Sequence, residues 1–191
     1  MASMQHFETL EMQAKKLVGD EPVHLINLLY DLSSSDNTVR SNAESVYNCC
    51  KREYPYSLSI GLAYLLRGST MPETRTMSAL LLRQLLTRFR WPQIQSQIQD
   101  TLKSICIECL ETETSPEVSK NLCNLVSDIA KNLLPRFEWP ELQSFMLTSL
   151  SSGLSHVREL GLLLFIELIP HYAEIFSPHV DTIHAAFSRL R

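Results

Sequence analysis

Nine prolines, at positions 22, 55, 72, 92, 116, 135, 140, 170 and 178, cut this chain of 191 residues into intervals that mostly have the length of one helix. Proline fixes φ and donates no N–H, so it suits the first turn of a helix and breaks the interior. No interval shows sustained period-two alternation with hairpin turns. Most instead bring apolar residues back every three or four positions, which predicts an all-α chain. The clearest case runs from Met71 to Pro92. Thr70 is the expected N-cap, with Pro72 and Glu73 in the first turn and Arg88 and Arg90 at the far end. Met77, Leu81, Leu82, Leu85, Leu86 and Phe89 then gather on one face, opposite a polar stripe of Glu73, Thr76, Arg83, Gln84 and Thr87.

Taken in order, residues 1–21 read as a weakly structured segment or partial helix around Phe7, Leu10 and Leu17. Helices follow over 23–32, then through Val39, Ala43, Val46 and Tyr47 after a capping turn at Ser33 to Asn37, then from Pro55 to Gly68, then the helix between Met71 and Pro92, then one from Pro92 to Leu110. Further helices are expected from Pro116 to Leu133, from Pro140 to Leu150, from Leu154 to Ile169 and from Pro178 to Leu190.

The helices pair, and the second members resemble one another. A small or polar turn precedes Val39-Arg40, Thr74-Arg75, Val118-Ser119 and Val157-Arg158, spaced 35, 44 and 39 residues apart. Arg88-Phe89-Arg90-Trp91-Pro92 also recurs as Arg136-Phe137-Glu138-Trp139-Pro140. Two helices per period of about 40 residues predict an α-solenoid of HEAT or armadillo-like pairs. Four to five repeats are expected, over 22–53, 55–90, 92–134 and 139–170 with a partial repeat over 171–191. Stacked pairs align their second helices on one extended surface. Its polar positions are Arg40, Glu44, Arg83, Gln84, Lys120, Asn124, Asp128 and Arg158. The last helix leaves an apolar face, which predicts self-association through the C-terminal end.

Composition narrows the function. Net charge is −4 with a pI near 5.9, which argues against a nucleic-acid surface and favours basic protein partners. Without a run of about 18 apolar residues, the chain is expected to be soluble and not to insert in membranes. Five cysteines, an odd number, argue against a disulfide framework. Cys106-x-x-Cys109 has zinc or redox spacing but no accompanying pair, and it falls in an apolar helix where buried thiols are expected. The six histidines are scattered. Glycine-rich phosphate loops and a Gly-x-Ser-x-Gly elbow are absent, so neither enzyme activity nor a cofactor or metal is expected.

Arg75 to Leu86, Arg-Thr-Met-Ser-Ala-Leu-Leu-Leu-Arg-Gln-Leu-Leu, resembles the second-repeat B helix of importin-β family nuclear transport receptors, in particular the importin-five (karyopherin β3) branch. Ser34 to Glu44, Lys120 to Leu133 and Trp139 to Leu142 are similar to other segments of that family, in the same order. The resemblance implies a non-enzymatic HEAT-repeat module from the N-terminal part of such a receptor, acting in cytoplasm and nucleus. It implies binding of the GTP form of Ran through B helices, with Arg40, Glu44, Arg83, Gln84, Asn124 and Asp128 at matching positions. Asn124 replaces an aspartate of the family pattern. Basic cargo and phenylalanine-glycine nucleoporins are the further implied partners, the latter on outer A helices. The competing reading is a truncated HEAT scaffold or adaptor without Ran binding; cysteine chemistry at Cys106 and Cys109 is a distant third.

Overall fold

The structure, a computed structural model, describes residues 2–19, 21–88 and 91–188, apart from the side chains of residues 2–7, 92, 182, 186 and 187. Phe89, Arg90, Leu190 and the Phe7 side chain therefore lie outside the described residues. Those described form helices, 3-10 turns and short connections, with no strand among them. The fold is an α-solenoid of helical pairs. Packing divides it into two compact units, Met1–Leu102 and Lys103–Arg191.

The first unit contains α1 (Ala2–Leu17), α2 (Pro22–Leu32), α3 (Asn37–Glu53), α4 (Pro55–Gly68), α5 (Pro72–Arg88), a 3-10 turn at Trp91–Gln93 and the start of α6 (Ser96–Thr112). Helix α1 is longer than the partial helix expected of residues 1–21. It packs on α3, with Ala14 and Leu17 buried and the Cys50 thiol donating to the Ala14 carbonyl at 3.5 Å. Alanine at the centre of this contact kept the apolar pattern faint. Prolines 22, 55 and 72 each open a helix. Asp36 caps α3, its Oδ1 accepting from Thr38 N at 2.7 Å and Val39 N at 3.3 Å. Thr70 does not cap α5 as expected. Met71 holds that position, its carbonyl accepting from Arg75 N at 3.2 Å. Helix α6 starts at Ser96, four residues later than expected, because the Gln99 amide donates to the carbonyls of Trp91 and Ile94, each at 2.8 Å.

The second unit contains the rest of α6, then α7 (Pro116–Leu133), a 3-10 turn at Leu134–Arg136, α8 (Pro140–Ser149), α9 (Ser155–Phe176), a 3-10 turn at Ser177–His179 and α10 (Val180–Ser188). Helix α9 packs against both α7 and α8. Leu122, Leu125, Val126, Leu142, Leu164, Phe165 and Leu168 are buried without measurable exposure, each contributing about 1.5–3 kcal/mol by leaving water. The helix expected to stop at Ile169 continues past Pro170 and kinks at Tyr172, whose φ and ψ of −136° and 35° are non-helical. Proline leaves the carbonyl one turn earlier without its donor, which places the kink here.

The second Arg-Phe-x-Trp-Pro copy makes the connection from α7 to α8. Trp139 is buried at the N-cap of α8, while Phe137 stands 67% exposed at φ 57°, in the left-handed region. Bulky side chains are disfavoured there and glycine is not. Phe137→Gly is expected to raise stability by up to about 1 kcal/mol in urea denaturation, with no loss of helicity.

Candidate functional site: the B-helix stripe

Three of the four turns that lead into B helices α3, α5, α7 and α9 share one construction. Ser34, Ser69 and Ser152 each accept, through Oγ, the N–H two residues on, at 3.2, 3.3 and 3.2 Å. Each offers its main-chain oxygen to the arginine six residues on: Arg40 at 2.8 Å, Arg75 at 2.9 Å and Arg158 at 2.6 Å. Arg40 also donates to Asn37 Oδ1. The turn before α7 differs, with Glu113 in the serine position and Ser119 in the arginine position. Glu113 Oε1, buried, takes the serine's part by accepting from Thr114 N at 3.0 Å and Ser115 N at 2.8 Å. An arginine fork bonded to a half-buried carbonyl contributes about 1.5–3 kcal/mol before solvent competition. Arg158→Ala should therefore lower the unfolding free energy by about 1–2 kcal/mol, read as a lower urea midpoint with an unchanged slope.

These turns fix one register for the four B helices. Aligned on them, Ala43, Ser78, Leu122 and Gly161 share a position and are all buried, as are Tyr47, Leu82, Val126 and Phe165. The six sequence-derived candidates then separate. Gln84 on α5 shares its register with Asp128 on α7, the former exposed and the latter half-buried, whereas half-buried Arg83 aligns with buried Ser127 and half-buried Asn124 with exposed Leu80. Arg40 is a turn clamp instead of a surface contact. Glu44, though exposed, occupies the position of buried Ala79 and Cys123. Arg158, expected on the same surface, is likewise a clamp.

Polar contacts organise the stripe locally. Asp128 Oδ1 accepts from Lys131 Nζ at 2.9 Å, and the Tyr172 hydroxyl donates to the Lys131 carbonyl at 3.1 Å, tying the kink of α9 to α7. Burial pushes the Cys123 thiol up to about 12, and the Glu167 carboxylate of α9 adds to the rise. At the far end of α3, Lys51 Nζ lies 5.1 Å from the Tyr47 ring. Burial, and then the Arg88 guanidinium, hold the Lys51 ammonium below its ordinary range. The register also exposes residues that pattern reading missed. The α9 counterparts of Asn124, Arg83 and Asp128 are Leu163, Ile166 and Glu167. Counting from the shared turns would have found them in the sequence.

Other chemistry is less developed. Among the described residues, no three metal-ligating side chains converge. Cys106 and Cys109 are buried, and burial drives the Cys106 thiol far above its ordinary range, so neither is poised as a nucleophile. On the A-helix side of the first unit, α2 and α4 border an apolar cavity of about 710 Å³ lined by Ile26, Ile60, Tyr56 and Tyr64. Residues Ser155–His179 are long and apolar enough to cross a bilayer by length and composition, a stretch the sequence reading did not single out. In this fold Val157, Leu160, Leu164, Phe165 and Leu168 of that stretch are buried.

Residues 114–190 match the family model described as IPO5-like, TPR repeats. That stretch is similar to the repeats of importin-five-like proteins. Among solved structures, the chain is similar to Kap121p, with a TM-score of 0.73 and 22% identity over 85% of this chain. Kap121p bound to RanGTP gives a TM-score of 0.69 at 23% identity over 85% of this chain, and Kap121p bound to Pho4p 0.71 at 21% over 85%. At such identities the likeness is one of fold. The chain spans 15% of Kap121p in the first comparison and 16% in the other two.

Proposed function

We propose that this chain is a non-enzymatic protein-binding module of the importin-β type, which binds the GTP form of Ran through the solvent stripes of its B helices. The observation that carries the reading is the shared register of Gln84 on α5 with Asp128 on α7, an amide and a carboxylate at equivalent places on two B helices, with Arg83 one residue before Gln84 and Asn124 one turn before Asp128, neither of them buried. Such groups suit a GTPase surface rich in lysine and arginine. The fold of a RanGTP-bound relative, Kap121p, supports it. Basic cargo and phenylalanine-glycine nucleoporins would be further partners, in keeping with Kap121p bound to Pho4p, Ste12p and Nup53p. The apolar cavity beside α2 and α4 is where an aromatic nucleoporin side chain would enter. Action in both cytoplasm and nucleus follows from that role.

One observation favours the second reading, a helical-repeat scaffold without Ran binding. Arg40 is spent on a turn and Glu44 stands at a stacking position, so two of the six candidates have structural explanations. Capture of GTP-locked against GDP-loaded Ran decides. The GTP form is expected to be captured selectively, with Arg83→Glu or Asp128→Lys weakening capture at least about tenfold, while Arg40→Ala acts on stability. Equal capture of both forms, or of neither, leaves the scaffold.

A further inference from the structure

Two prolines follow a serine, in the dipeptides Ser115-Pro116 before α7 and Ser177-Pro178 after α9. The pairs are equivalent in sequence and differ in the fold. Ser115 lies in the connection between α6 and α7, outside any helix, with φ −78° and ψ 121°, the extended conformation that a following proline favours. Ser177 opens the 3-10 turn that continues α9 into α10, with φ −55° and ψ −37°, and its hydroxyl donates to the Glu174 carbonyl at 2.9 Å.

The Ser115 hydroxyl has no such engagement. A serine at an N-cap ordinarily accepts an N–H of the first helical turn, but Ser115 makes no side-chain cap bond to α7. Glu113 has taken over this turn by accepting from Thr114 N at 3.0 Å and from Ser115 N at 2.8 Å. Ser115 Oγ is thus left without a protein partner, and it is not sealed from solvent. The N–H groups of Glu117 and Val118, in the first turn of α7, also meet no acceptor among the described residues. They lie at the positive end of the helix, next to Ser115.

We propose that Ser115 is a phosphorylation site for a proline-directed serine kinase, and that the attached phosphate is held by the first turn of α7. Such a kinase takes its substrate in extended form with a free hydroxyl. The fold presents both at Ser115 and neither at Ser177. In the transfer, Ser115 Oγ attacks the terminal phosphorus of a nucleoside triphosphate brought by the kinase, the bond from that phosphorus to the bridging oxygen breaks, and the nucleoside diphosphate leaves. The hydroxyl proton passes to a carboxylate of the kinase. The new group adds about 1.5 to 2 negative charges, and its oxygens accept from the two open N–H groups, which offsets repulsion from the Glu113 carboxylate. The inference does not depend on GTPase binding.

The test incubates the whole 191-residue chain with a mitogen-activated protein kinase and radiolabelled ATP, and maps the phosphate by mass spectrometry. Ser177 is the more exposed of the two serines. Ser115 should nevertheless be labelled at least about tenfold faster, because Ser177 must first leave a helical turn and break a hydrogen bond. Ser115→Ala and Pro116→Ala should each abolish labelling at this site, with the fold checked by circular dichroism; the second keeps the hydroxyl and removes only the proline. The phosphorylated chain should melt at no lower temperature than the unmodified one. Equal labelling of Ser177, labelling of Ser115 only after unfolding in urea, or undiminished labelling of Pro116→Ala overturns the site. A lower melting temperature overturns the hold by α7, since the phosphate then stands against Glu113.

Discussion

Replacing Gly161 by alanine is expected to lower the unfolding free energy by about 3 kcal/mol, although helix propensity alone predicts a gain of about 1 kcal/mol for the same change. Packing decides the sign. A Cβ at Gly161 would lie 1.8 Å from Ser149 Oγ and 2.8 Å from Ser149 Cβ. Ser149 is itself buried, and its hydroxyl is held to the Met146 carbonyl at 2.8 Å, so it has little room to yield. Helices α8 and α9 must therefore part. Urea denaturation of Gly161→Ala measures the loss, and adding Ser149→Gly should restore most of it. Failure of that rescue would show that the strain lies elsewhere. Gly61 gives the contrast, since a Cβ there would meet the flexible end of the Leu25 side chain at 3.0 Å. Gly61→Ala should be close to neutral.

Trp139→Ala should cost about 4 kcal/mol, the range for deleting a large buried aromatic side chain. Trp139 is 1% exposed at the N-cap of α8, so the cavity would open where the chain turns from one helical pair to the next. Its Nε1 is buried without a hydrogen-bond partner. Phenylalanine at this position removes that unpaired donor while keeping most of the volume, so Trp139→Phe should cost about 1–2 kcal/mol. The two variants compared by thermal unfolding separate volume from polarity. Equal losses would mean that the indole N–H is satisfied in solution.

Proline placement made the helix order legible. Helices α4 and α7 start and stop where their prolines and apolar steps place them. The misplaced ends have local causes that composition does not reveal: a glutamine amide reaching back to two carbonyls before α6, and a kink that forms two residues beyond Pro170. Helix α1 was faint because its buried centre is an alanine. For the stripe, periodicity identified which residues are polar, but it could not tell Arg40 from Arg83. Both are arginines on a second helix, and only the donor geometry at Ser34 distinguishes a clamp from a surface contact. The apolar stretch of the stripe on α9 was overlooked because Leu163 and Ile166 look like core residues until the register shows which way they face.

The clamps at Ser34, Ser69 and Ser152 each join residues only six apart in sequence. Closing such a short segment loses little chain entropy, so each helical hairpin can register itself before any neighbour arrives to stack on it. On an emerging polypeptide, successive turns would lock in order of synthesis, and the growing array would offer each new pair an edge already set in phase.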